Sequence, residues 1–172
     1  VWLVDKPDAA STAVSMGFPI DVTRSSPDYP AMVLALAYFG QHRQFVGRLM
    51  QKMRNDRGLN YGDYAYTEAF AQDGWSTFPL PNVARREQMF SIWLRAVKPE
   101  NAHFAIRMAV RELRDFAQHG MSEADFQRVR GYVSSFYALY LQTESRRLGF
   151  AIDDAFYGAS PAWLERLRAA WE

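Results

Sequence analysis

The residues of this chain best suited to chemistry lie in one short run, Leu49 to Tyr66, LMQKMRNDRGLNYGDYAY. Apolar residues at helical spacing lead into a basic end, Gly58 stops the helix, and an aromatic strand follows. Arg54, on the last helical turn, and Tyr61, at the strand start, are thereby close enough to serve one ligand. A guanidinium and a phenol held on a rigid turn suit a peptide carbonyl or a carboxylate, since both donate hydrogen bonds to oxygen. The same pair also has an ordinary reading. A basic side chain near a helix C-terminus favours the dipole, and Tyr favours strands. Arg57 reads as such a helix-end charge, and Met50 and Met53 as core.

The elements that must position this run follow from periodicity. Val1 to Val4 reads as a short strand and Lys6-Pro7-Asp8 as a turn. Ala13 to Ile20 alternates, with Val14, Met16, Phe18 and Ile20 on one face, as in a half-buried strand. Ser26-Pro27 marks a helix start, with Ser as N-cap, and the helix runs to about Phe39 with Met32, Val33, Leu36 and Ala37 inward. After Gly40 a second helix, about Gln44 to Asp56, buries Phe45, Leu49, Met50 and Met53. Tyr61 to Phe70 is a strand whose Tyr61, Tyr64, Tyr66 and Phe70 read first as sheet core. A long loop follows from Ala71 to Arg86, where Trp75 and Phe78 read as a lid anchor or a partner contact. Glu87 to Val97 is a strand with Phe90, Ile92 and Leu94 on one side and Trp93 on the other.

Beyond Pro99 the pattern is helical throughout. Ala102, Ile106, Ala109, Leu113 and Phe116 share a helix face, and Gly120 ends it. Ser122 and Asp125 resemble a capping box before Phe126, Val129, Val133, Phe136 and Tyr140. Two shorter helices, about Ser145 to Phe156 and Pro161 to Trp171, close the chain, with Arg146-Arg147 a solvated helix start. Strands, two helices, two strands and then helices predict an α+β fold, a largely antiparallel sheet with helices packed on one face.

Composition bounds the function classes. A chain of 172 residues, 49% apolar and 15% aromatic, forms one folded domain with a real core. Its 20 basic and 19 acidic residues leave a net charge of +1, no overall electrostatic footprint for nucleic acid or a membrane surface. The absence of Cys excludes disulfides and thiolate metal sites and leaves periplasm and cytosol both open. No apolar run approaches the roughly 18 residues a membrane span needs. The start at Val1 without Met leads us to expect a piece of a longer protein.

These residues carry a family resemblance. VWLVDKPDAASTAVSMGFPI, Val1 to Ile20, resembles the opening of the second half-domain of pitrilysin-type zinc peptidases, relatives of insulysin and mitochondrial processing peptidase. Asp5-Lys6-Pro7, Phe39-Gly40, Gly47-Arg48-Leu49 and the run from Arg54 through Gly58-Leu59 to Tyr61 stand where that family has its turn, its Leu-Gly-Gly, its Ser-Arg-Leu and its Arg-Glu-x-x-Gly-Leu-x-Tyr motif. The ordered set spans nearly the whole chain. The resemblance implies half-domains of like fold closing around an extended peptide. One half-domain holds zinc through His-x-x-Glu-His, whose Glu activates water. Another lacks zinc and supplies an Arg and a Tyr to the substrate.

This sequence resembles the second kind. His42, His103 and His119 are scattered, His119 reading as a helix-end residue, and none belongs to a zinc motif. The resemblance therefore implies a non-catalytic, substrate-binding half-domain, the C-terminal half of a longer zinc metalloendopeptidase. Arg54 and Tyr61 would contact peptide, and no metal would bind this segment. The implied partners are a peptide substrate and a zinc-motif-bearing half-domain or subunit, in a homo- or hetero-dimer. The implied compartment is the periplasm. The alternative is a structural or assembly subunit that keeps the fold without the chemistry. Two departures stand out: Gln41-His42-Arg43-Gln44 replaces the family's Gly-Gly stretch, and the chain stops at Trp171-Glu172, before an expected last strand.

Overall fold

Alternation sets the sheet. In β1 (Thr12–Ile20), Val14, Met16 and Ile20 turn inward while Ala13 and Ser15 face solvent. β3 (Gln88–Val97) buries Phe90, Ile92 and Leu94 on the same side, and β2 (Asn60–Tyr66) adds Ala65. The computed structural model, which describes residues 1–41, 47–67, 80–159 and 162–171, places these strands in the order β1-β3-β2. Both pairings are antiparallel. At Gly17, opposite Ser91, a Cβ would stand 2.4 Å from the Phe90 carbonyl oxygen, so the close approach of β1 to β3 requires glycine.

Helices cover the apolar face. α1 (Tyr29–Phe39) leads from β1 toward the turn before β2, and its end contributes Phe39 to the sheet core. α2 (Ala102–His119) lays Ala105, Met108 and Ala109 on the strands. α3 (Glu123–Tyr140), α4 (Glu144–Tyr157) and α5 (Trp163–Trp171) build a second core with α1, centred on Val33, Val133, Tyr137, Phe150, Trp163 and Leu167. The expected α+β class, with helices on one face of an antiparallel sheet, is the observed fold. Ser122 caps α3 as expected: the Asp125 N–H donates to Ser122 Oγ at 3.1 Å, and that hydroxyl donates to Asp125 Oδ2 at 2.8 Å, in place of the reciprocal backbone bond of a full capping box.

Several local expectations are corrected. Val1 to Val4 lies outside the sheet and fully exposed, since among the described residues no strand pairs with it. Helix α1 begins at Tyr29 rather than Pro27. Ser26 instead closes a turn, accepting the Thr23 N–H at 2.9 Å, and Pro30 occupies the first turn. The second helix ends as a π-helical turn, Met50–Asn55. Phe18 keeps its place on the inward face but is half exposed, with its ring 5.3 Å from Phe90. Arg146 is not simply solvated: it donates to the Tyr140 carbonyl at 3.0 Å and lies 4.2 Å over that ring. His42, Phe45, Phe70, Trp75, Phe78 and Pro161 lie outside the described residues.

One buried ion pair ties the layers together. Arg24, between β1 and α1, donates from Nη1 to Asp153 Oδ2 on α4 at 2.5 Å and from Nη2 to the Leu80 carbonyl at 2.6 Å. Its guanidinium carbon lies 5.6 Å and 5.5 Å from the ring centroids of Phe150 and Trp163. The Asn82 N–H donates to the same carboxylate oxygen at 2.9 Å. Both charged side chains are essentially inaccessible, at 0% and 1%. Asp153→Ala would leave a buried guanidinium without its counter-charge, so we expect a loss of about 3–5 kcal/mol and a Tm lower by about 10 °C. An Arg24→Met/Asp153→Leu double substitution should recover most of it. Thermal denaturation followed by circular dichroism checks both.

Candidate functional site

The site is built on the π-helical turn. Leu49 and Met53 are fully buried against the sheet and fix it from inside. Arg48 fixes it from the side, donating from Nε to Glu112 Oε2 on α2 at 2.8 Å and from Nη2 to Asp115. Partial burial opposes the charge on Asp115, but its bonds to Arg48 and His119 hold that carboxyl below its usual range. The turn closes with wide hydrogen bonds. Asp56 N–H reaches the Gln51 carbonyl at 2.9 Å, and Leu59 N–H reaches that of Met53 at 3.0 Å. Gly58 takes φ 60°, which lets the chain reverse into β2. π-helical turns are rare and often stand at functional sites.

This geometry brings Arg54 and Tyr61 together as the spacing predicts. The Arg54 guanidinium carbon lies 4.7 Å from the centroid of the Tyr61 ring, within cation–π range. Arg54 Nη1 also approaches Met50 Sδ at 3.8 Å. Tyr61 is 72% exposed, which corrects its expected place in the sheet core. The pair thus presents a cation and a phenol to solvent at one end of β2. Arg57 serves as a helix-end charge, donating to the Lys52 carbonyl at 2.7 Å. Met50 and Met53 are core.

Beside the pair runs the outer edge of β2, the edge turned away from β3. The Ala65 N–H points away from β3 and donates to the Gly40 carbonyl at 2.7 Å. Alternation then turns the backbone polar groups of Asp63 and Tyr61 to the same outer edge. Among the described residues no strand pairs with that edge. On the face away from the helices, Tyr64, Tyr66 and Trp93 form an aromatic row, with ring centroids 6.2 Å and 6.0 Å apart in sequence. Arg95 lies 5.0 Å from the Trp93 ring and 5.8 Å from Tyr64. Burial pushes the Tyr66 phenol well above its usual range.

Two polar residues that sequence reasoning passed over stand behind the pair. Asn60 and Asp63 are both buried, and Asn60 Nδ2 donates to Asp63 Oδ1 at 2.5 Å. Asp63 Oδ2 is buried with no hydrogen-bond partner among the described residues. Burial pushes this carboxyl up to about 6, against the opposing pull of the Asn60 hydrogen bond and the Arg54 charge. The available signal was a carboxylate in an otherwise apolar and aromatic strand, which has to be either solvated or held.

Zinc does not fit here. His103 is exposed, and exposed His119 lies 3.0 Å from Asp115, a carboxylate already engaged by Arg48. Among the described residues no three His, Cys, Asp or Glu side chains converge on a point.

Comparison with known proteins supplies the frame for this geometry. The family model described as the peptidase M16 inactive domain matches residues 3–132. The fold is similar to a peptidase M16 inactive domain from Pseudomonas fluorescens, at TM-score 0.71 and 18% identity, covering 95% of this chain and 36% of that one. It is similar to a protease from Helicobacter pylori, at TM-score 0.74 and 12% identity over 96% of this chain and 36% of that one. It is also similar to the inactive peptidase domain of a candidate zinc protease from Bordetella parapertussis, at TM-score 0.65 and 15% identity over 94% of this chain and 81% of that one. The chain spans about a third of the length of the first two. No curated protein sequence matches it.

The shifted Asp63 gives a pH signature. Between its unfolded value of 3.8 and its folded value of about 6, the folded state holds a proton that the unfolded chain has released. Its contribution is therefore complete at acid pH and is lost as pH rises through about 6. Asp63→Asn keeps an acceptor for Asn60 and removes the titration. The substitution should stabilise the chain at neutral pH, on the order of 2 kcal/mol, and have little effect near pH 4. Urea denaturation of both proteins across that range checks the difference.

Proposed function

The chain belongs to the peptidase M16 inactive-domain family, and from that membership we propose that it is the non-catalytic, substrate-binding half of a zinc metalloendopeptidase. In this reading Arg54 and Tyr61 project into a peptide-cleavage chamber whose zinc is held by another half-domain, either in the same parent chain or in a partner subunit. The chain is then one half-domain of a longer protein, acting in the periplasm. The observation that carries the proposal is the pairing of the half-buried Arg54 guanidinium with the exposed Tyr61 ring, 4.7 Å apart and held by residues that are themselves buried.

The chemistry is binding and orientation. An extended peptide adds along the outer edge of β2, where backbone groups of Tyr61 and Asp63 meet those of the substrate. The phenol of Tyr61 donates to a carbonyl of that strand. The Arg54 guanidinium donates to the same carbonyl or to a carboxylate, and supports negative charge that develops on oxygen during cleavage. The zinc ion would supply the activated water from the companion half-domain, and no residue of this chain acts on that water.

The test is made on the assembled enzyme, this chain together with its zinc-bearing half. Arg54→Ala should lower kcat/KM by about 10²-fold and Tyr61→Phe by about tenfold, with unchanged zinc content and unchanged melting temperature. Wild-type turnover in both variants would sink the assignment and leave the fold as an assembly element.

A further inference from the structure

Helix α2 carries a surface that the substrate reading does not use. Its inward face is Ala105, Met108, Ala109 and Glu112. The opposite face presents Arg107, Arg111 and Arg114 at spacings of four and three, one stripe of the helix. Among the described residues none of the three has a carboxylate partner. The reason lies within the helix: its two carboxylates, Glu112 and Asp115, are both drawn to Arg48 on the other side. Flanking the stripe are Phe104 and Val110, 51% and 40% exposed. Arg57, just beyond the π-helical turn, lines a shallow groove together with these residues.

We propose that this groove docks an acidic polypeptide segment, one bearing carboxylates at helical spacing with apolar side chains between them. Charge complementarity carries the choice. Unopposed guanidinium groups on one helix face, in a protein of net charge +1, concentrate positive potential there. Guanidinium pairs with carboxylate in a bidentate fork, and the interleaved Phe104 and Val110 need an apolar counterpart that a bare polyanion lacks. The proposal does not depend on Arg54 or Tyr61 touching substrate.

The experiment uses a fluorescent peptide with Glu and Leu repeated at helical spacing, its Lys-for-Glu counterpart, single-stranded DNA, and vesicles containing phosphatidylserine. Fluorescence anisotropy should show binding of the acidic peptide that weakens as salt rises, and none of the basic one. Arg107→Glu or Arg111→Glu should each weaken it at least about fivefold. Arg130→Glu on α3 makes the same change in net charge and should leave it unchanged. Circular dichroism confirms that each variant is folded. Equal binding by all variants, absence of acidic-peptide binding, or tighter binding of DNA or vesicles than of the acidic peptide would overturn the proposal.

Discussion

The guanidinium of Arg24 is the point on which the arrangement of layers depends. It sits where the chain leaves β1 for α1, yet its partners come from Leu80 and from Asp153 on α4, residues 56 and 129 positions away. A cation buried this completely is tolerated only because every side of it is answered: a carboxylate, a carbonyl and two aromatic faces. Such a group contributes little net stability, since its desolvation offsets most of the attraction. What it contributes is uniqueness. A slip of α4 relative to the β1–α1 connection would leave a charge unpaired in the core. Arg166 on α5 closes the same corner by donating to the carbonyl of Arg24 at 2.6 Å.

A second ionic knot does for the site what Arg24 does for the layers. Arg48 holds the entry to the π-helical turn against α2 through two carboxylates. With Leu49 and Met53 buried beneath it, the turn has little freedom, and the reversal at Gly58 delivers Tyr61 to a fixed place. The wider ring of the π-turn matters because it changes which side of the turn Arg54 faces. Arg54 is stacked on Tyr61, while its neighbours Leu49, Met50 and Met53 are buried. Asp63 completes the arrangement from behind, as a carboxylate whose ionisation burial discourages and the guanidinium encourages.

How much of this was legible in the sequence follows from where each feature takes its energy. β1, β3 and α3 are written in periodicity, because each buries one face and the alternation or the three-and-four spacing records it directly, whereas in α2 the buried face is turned from the expected one, with Ala105, Met108 and Glu112 inside and Ile106 exposed. The Ser122 cap is a local bond and was equally readable. The meeting of Arg54 and Tyr61 followed from a stop signal between a helix and a strand. Apart from the helix start misplaced at Ser26-Pro27, the failures are non-local or geometric. Val1 to Val4 has strand composition but no partner, and composition does not supply one. The π-turn is a difference of one residue per ring, invisible to a hydrophobic pattern. Arg24 and Asp153 are 129 positions apart and each looks like an ordinary surface residue until the fold buries them together. Asp63 was readable in principle, since a carboxylate between Gly62 and Tyr64 breaks the strand's own grammar, but its partner Asn60 precedes it by three positions and looks like part of the turn.

The two ionic knots also shape the surface. Near-neutral composition suggested a chain with no electrostatic preference, and as a whole it has none. Yet a folded chain distributes its charge by which pairs it closes. Arg48 consumes both carboxylates of α2, so the helix is neutralised on the side that faces the turn and left cationic on the side that faces away. Had Glu112 been placed one position earlier, it would lie a quarter-turn nearer the arginine stripe and lose its reach to Arg48. The turn that carries Arg54 would then be held less firmly, and the outer face of α2 would be partly compensated. Rigidity of the candidate site and the unopposed charge on the far side of α2 are therefore two consequences of one set of bonds.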